Sequence, residues 1–172
     1  MAEFTRLDEL LLVVSPLNPH KEEKMLLKSR DRLHLARIAV EGYSKIKVSD
    51  IEFELPKPSY TIDTLIYLQE KFPGKKFELI LGSDNLEHFH KWKNHEIILE
   101  RYRLLIYPRG PLPEKYRNHP SVELVPAPQI EISSTQIREG IAAGKNMKFF
   151  LPPGVWDYID AMHYYRQKQS GK

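Results

Sequence analysis

Strand-like and helix-like patterns alternate along almost the whole of this chain, and that alternation restricts the fold more than any other feature. Short apolar runs bounded by turn residues predict strands at Leu10 to Val14, Lys45 to Ile51, Phe77 to Leu81, Leu104 to Tyr107 and Val122 to Val125. Between them, apolar residues at three- and four-residue spacing predict helices over Arg30 to Val40 and Thr61 to Phe72, and a shorter one around Ile97, Ile98 and Tyr102. A further amphipathic run opens at Ile132 to Arg138, and Pro152 and Pro153 introduce a last helix from Gly154 to about Tyr165. Such alternation argues for βαβ units, hence a parallel sheet covered on both faces, and runs such as L-L-L-V-V suit strands buried on both sides. The expected fold is α/β, a Rossmann-like parallel sheet with helices on both faces.

The start of the chain breaks this regularity. Met1 to Leu7 reads as the last turn of a helix feeding the strand at Leu10, so the chain starts partway through a βαβ unit, with its first strand missing. The expectation is a single N-terminally truncated domain over 1–172, in which the Leu10 strand and the Phe77 strand either lie about 10 Å apart, twice the usual ~4.8 Å, or pair directly.

Composition excludes several classes. A length of 172 residues at 41% hydrophobic content suits one core. Twenty-six Lys and Arg against 23 Asp and Glu give a net charge of only +3, with the basic residues scattered apart from the tail around Arg166, Lys168 and Lys172, so neither nucleic acid nor a membrane is an implied partner. The absence of cysteine rules out a disulfide scaffold and a thiolate zinc site. No apolar run approaches the ~20 residues of a membrane span and no signal peptide precedes the chain, which points to a cytoplasmic protein.

Ligands of parallel α/β sheets bind beyond the carboxyl ends of the strands, and this is where the unusual residues fall. S-P-L-N-P-H-K follows Val14, G-S-D-N follows Leu81, P-R-G follows Tyr107, and P-A-P follows Val125 and leads into I-S-S-T-Q-I-R. In the last of these, Ser133 or Ser134 can cap a helix whose first-turn N–H groups lack intrahelical partners, with Arg138 one turn further on. Unpaired donors, the positive end of a helix dipole and a guanidinium together suit a polyphosphate. His88 and His90 form an H-x-H without a third ligand at a recognised spacing, so no metal site is assigned.

In order and spacing, P-S-Y-T-I-D-T-L (Pro58 to Leu65), G-S-D-N (Gly82 to Asn85), H-K-W (His90 to Trp92), Y-P-R (Tyr107 to Arg109) and I-S-S-T-Q-I-R resemble the bacterial nicotinate mononucleotide adenylyltransferases, from about Phe4 to Tyr158. The resemblance implies transfer of AMP from ATP to nicotinate mononucleotide with Mg²⁺, giving deamido-NAD and pyrophosphate, and it leaves room for a homo-oligomer. It implies that Ser134, Thr135 and Arg138 hold the ATP phosphates, with Arg138 the catalytic contact. Gly82, Ser83 and Asp84 would line the adenosine, and Arg109 would lie near phosphate. Trp92 would stack on the pyridine ring, Thr61 and backbone amides would receive its carboxylate, and Tyr60 and Lys21 would complete the substrate pocket. Each residue has a plainer role open to it: Trp92 as a packed aromatic, Thr61 as a helix N-cap, Asp84 as a cap of the helix that follows, Lys21 as part of a solvated K-E-E-K face.

The family's N-terminal signature, G-x-F-x-P-x-H-x-G-H, has no counterpart in these 172 residues. Its two histidines are expected to contact the ATP phosphates, and losing one preorganised donor typically costs ~10²–10³ in rate. This chain alone is therefore expected to turn over little. Two other readings compete: a non-catalytic nucleotide-binding module that kept the pyridine pocket and phosphate helix, and a sister adenylyltransferase acting on phosphopantetheine.

Overall fold

The computed structural model describes residues 1–16 and 26–166. Five short strands are found where apolar runs meet turn residues: β1 (Leu10–Val13), β2 (Ile46–Ser49), β3 (Leu79–Gly82), β4 (Leu104–Tyr107) and β5 (Val122–Leu124). Six α-helices accompany them: α1 (Ser29–Ala39), α2 (Thr61–Lys71), α3 (Ser83–Leu86), α4 (His95–Arg101), α5 (Ser134–Ala142) and α6 (Pro153–Ala161). Every strand pairing is parallel, in the registers Leu10 with Ile46, Leu79 with Leu104, and Leu104 with Val122.

The expected single sheet is divided in two, β1-β2 and β3-β4-β5. Direct pairing of β1 with β3 does not occur, and none of the described strands pairs with both. An ion pair of Lys75 with Glu9 at 3.3 Å links the residues just ahead of β3 and β1. Met1 to Leu7 forms a turn rather than a helix end, closed by Phe4 N–H to the Met1 carbonyl at 2.9 Å. Its Met1 and Leu7 pack against Leu105, Val125 and Ala127.

β4 is the centre of the larger sheet, and its residues alternate between two cores. Leu104 and Ile106 face Ile62 and Leu65 of α2, Ile98 of α4, Leu86 and Phe89, whereas Leu105 joins Val125 and Ala127. All three β4 residues are at most 3% exposed, as befits a strand buried on both faces. A third cluster joins α1, α5 and α6 through Leu35, Ile38, Ile137, Ile141, Val155 and Ile159.

Several boundaries differ from expectation for local reasons. The strand predicted to reach Ile51 ends at Ser49, because residues Ile51–Phe53 curl into a 3-10 turn. The last helix ends at Ala161, four residues early, and His163 and Tyr165 adopt left-handed φ values of 54° and 63° that fold Tyr164 and Tyr165 back onto the third cluster. Helical periodicity persists across this stretch, but a left-handed residue ends a helix whatever the pattern.

Candidate active site at the strand ends

Three groups of residues gather where strands give way to helices. The first surrounds the start of α2. Tyr60, extended at φ −110°, ψ 139°, is the N-cap and offers no side-chain cap, so Thr61 stands at the first helical position rather than serving as the cap. Lys93 reaches this turn from the next segment: its ammonium binds Asp63 Oδ2 at 2.8 Å and Oδ1 at 3.1 Å, and sits 4.9 Å from the centroid of the Tyr60 ring. Trp92, beside Lys93, is half-buried, tilted against Phe89 with ring centroids 5.3 Å apart. Lys93 thus ties the segment that follows Trp92 to Tyr60 and Asp63 at the start of α2.

The second group lies at the ends of β3 and β4. Ser83 is buried, and its hydroxyl donates to the Gly110 carbonyl at 3.0 Å while accepting from the Arg109 N–H at 2.8 Å, which ties the two loops into one unit. Asp84 is exposed and caps nothing; its Oδ1 accepts from Asn85 Nδ2 at 3.1 Å, and its Oδ2 lies 3.9 Å from Arg109 Nε. A Cβ added at Gly82 would collide with Asp84 Oδ1 and press on Arg109 Cδ at 3.3 Å, so the absence of a side chain there lets the acid and the arginine sit side by side. Arg109 therefore belongs with Asp84.

The third group is the start of α5. Ser133 is the N-cap: its hydroxyl accepts from Gln136 N–H at 3.2 Å and Gln136 Oε1 accepts from Ser133 N–H at 2.7 Å, a complete capping box. Ser134 and Thr135 are left exposed on the first turn. Arg138 Nη2 donates to Thr135 Oγ1 at 3.0 Å, while its Nε is buried without a partner among the described residues. Burial pushes the Tyr165 phenol up, against the pull of the neighbouring Arg138 and Arg32 cations. Tyr107 connects this group to the second: its hydroxyl donates to the Pro128 carbonyl at 2.8 Å and accepts from Ile130 N–H at 3.0 Å, fixing the segment that enters α5.

Lys21 lies outside the described residues. Sequence reasoning missed two residues that organise these strand ends. Lys93 follows Trp92 directly but carries no motif of its own. Arg32, in the first turn of α1, donates to the carbonyls of Ser15 at 2.6 Å, Pro16 at 3.3 Å and Leu27 at 3.2 Å, holding the backbone that leaves the carboxyl end of β1. An arginine in the first turn runs against the helix dipole, and that local misfit was the available signal. No group of three His, Cys, Asp or Glu among the described residues could hold a metal ion.

The cytidylyltransferase-like family matches residues 2–140. A probable nicotinate-nucleotide adenylyltransferase of Flavobacterium johnsoniae is 48% identical over 170 residues, covering 97% of this chain and 88% of that protein. One of Christiangramia forsetii is 48% identical over 169 residues, covering 96% of this chain and 87% of that protein. Among solved structures, Plasmodium falciparum nicotinic acid mononucleotide adenylyltransferase complexed with NaAD superposes with a TM-score of 0.77 at 21% identity, covering 95% of this chain and 87% of that one, a likeness of fold.

Proposed function

Because this chain belongs to the cytidylyltransferase-like family and, within it, to the nicotinate-nucleotide adenylyltransferases, we propose that it transfers AMP from ATP to nicotinate mononucleotide and that the three groups at its strand ends divide the work. A phosphate oxygen of the mononucleotide forms the new bond to the α-phosphorus of ATP. The bond from that phosphorus to the bridging oxygen breaks, and pyrophosphate leaves with the electron pair. Such a reaction asks the protein for alignment and charge stabilisation rather than a covalent nucleophile.

The α2 turn and Trp92 would take the pyridine end: the ring stacks on the indole, and the carboxylate meets Thr61 and the first-turn amides, with Tyr60 beside them. Gly82, Ser83 and Asp84 would take the adenosine, Asp84 accepting from the ribose hydroxyls, with Arg109 holding the carboxylate in place. Ser134, Thr135 and Arg138 would take the polyphosphate, whose developing charge the unpartnered Arg138 N–H meets. Mg²⁺ would arrive with ATP and neutralise phosphate charge. This fits a site with no preformed set of three ligands among its described residues, since Mg²⁺ usually keeps several waters and binds through phosphates. Both substrates are soluble and a cytoplasmic setting belongs to this reading; no helix among the described residues is long and apolar enough to cross a membrane.

The single observation that carries the proposal is that Lys93, the residue after Trp92, binds Asp63 in the first turn of α2 and lies over the Tyr60 ring, at a helix start that no side chain caps. Purified protein supplied with MgATP and nicotinate mononucleotide is expected to form deamido-NAD and pyrophosphate in equal amounts, and the mononucleotide is expected to quench Trp92 in a Trp156→Phe background. Turnover with phosphopantetheine and none with nicotinate mononucleotide would assign the sister reaction. Absence of both quenching and product at millimolar mononucleotide would remove the pyridine pocket.

A further inference from the structure

The junction between β2 and α2 hides two polar groups that nothing in the proposed reaction uses. Glu52, in the 3-10 turn after β2, is only 9% exposed, and Ser59, just before α2, only 8%. Glu52 Oε1 accepts from Thr64 Oγ1 at 2.8 Å, and the same hydroxyl lies 3.3 Å from the Tyr60 carbonyl. Glu52 Oε2 and Ser59 Oγ have no partner among the described residues. One turn further out, Glu54 accepts from the Tyr67 hydroxyl at 3.1 Å and lies 3.8 Å from Lys71.

A buried carboxylate with a neutral partner and an unsatisfied oxygen is a poor way to stabilise a fold. An apolar side chain of similar volume usually serves as well or better. What the carboxylate does supply is direction. It lies against the first turn of α2, where the helix dipole favours a negative charge, and it takes the single hydroxyl proton of Thr64, the residue whose N–H donates to the Tyr60 carbonyl at 3.1 Å. Tyr60, tied in this way to Thr64, precedes Thr61 in the turn where Lys93 lies over the Tyr60 ring and binds Asp63.

We propose that Glu52 is a positioning residue for the pyridine end of the site: by holding from the buried side Thr64, whose N–H binds the Tyr60 carbonyl, it keeps Thr61 and the α2 amides aimed at the ligand. This rests on the reading of the α2 turn and Trp92 as the mononucleotide pocket. Glu52 touches no substrate, and its effect is on affinity for the mononucleotide and not for ATP.

The test measures nicotinate mononucleotide binding by Trp92 fluorescence in the Trp156→Phe protein and ATP binding by calorimetry, with thermal unfolding recorded for every variant. Glu52→Met, an apolar replacement that a purely structural role tolerates, is expected to keep the melting temperature and to weaken mononucleotide binding about ten-fold or more, with ATP affinity unchanged within two-fold. Glu52→Gln, whose amide carbonyl still accepts from Thr64, should recover most of the loss. Thr64→Val, which leaves the carboxylate in place, should reproduce the Glu52→Met defect, and it also decides the matter if Glu52→Met does not fold. Unchanged mononucleotide affinity in Thr64→Val and Glu52→Met, or an equal loss for both ligands, overturns the proposal. Failure of the parent protein to bind the mononucleotide at all instead overturns the pocket on which it rests.

Discussion

Arg138 and Trp92 answer to different forces. Trp92 is held by packing against Phe89 and is set before any ligand arrives, whereas Arg138 keeps a buried N–H unspent and is anchored through one bond to Thr135. A donor kept free in a partly dry environment gains most when negative charge develops in front of it. Arg138→Ala is therefore expected to lower turnover by ~10²-fold or more. Arg138→Lys should recover only part, because a point charge replaces a planar fork. A steady-state comparison of the three proteins checks this, and equal rates in all of them would move the charge contact elsewhere.

Among the elements, α5 separates capping from binding with unusual clarity. Ser133 is committed to the capping box, while Ser134, one residue later, keeps its hydroxyl on the exposed first turn. Ser133→Ala is expected to cost about 1 kcal/mol of stability, read as a melting temperature lower by about 2–4 °C. Ser134→Ala should leave the melting temperature unchanged and raise KM for ATP. The opposite assignment of the two effects would mean that the helix begins a residue later in solution. A similar division of labour holds at the other end of the site, where Lys93 and Glu52 brace one turn of α2 from its two sides.

For the whole molecule, the notable feature is a parallel sheet divided into two- and three-stranded parts. The residues proposed to hold the polyphosphate, Ser134, Thr135 and Arg138, all belong to α5, and the 172 residues contain no glycine turn with paired histidines. On that proposed assignment the described residues form one side of a charge clamp, and turnover of the 172 residues alone is expected to be slow. Fusing a strand, glycine turn and histidine pair of the G-x-F-x-P-x-H-x-G-H type ahead of Met1 should raise it by ~10²-fold or more. A fusion no faster than the chain itself, with both well folded, would show that the residues already present suffice.

Alternation of apolar runs and amphipathic segments determined, without tertiary information, that the strands would be parallel, and it directed the search for a site to the loops beyond their carboxyl ends. The parallel pairing follows from local pattern and from the length of the crossovers. The short motifs and the family resemblance, not periodicity, singled out Thr61, Gly82, Asp84, Trp92 and Arg138 as candidates. Tertiary structure alone decided what these residues touch. That Arg109 lies beside Asp84 in the space left by Gly82, and that Lys93 joins Asp63 to the Tyr60 ring, depend on chain segments far apart in sequence meeting in space, whereas the choice of Ser133 over Ser134 as the cap of α5 rests on a local contact with Gln136 that helical periodicity does not specify. The division of the sheet and the burial of Glu52 are of the long-range kind. Both depend on which backbone edges and side chains find partners in three dimensions, and periodicity along the chain carries no record of that.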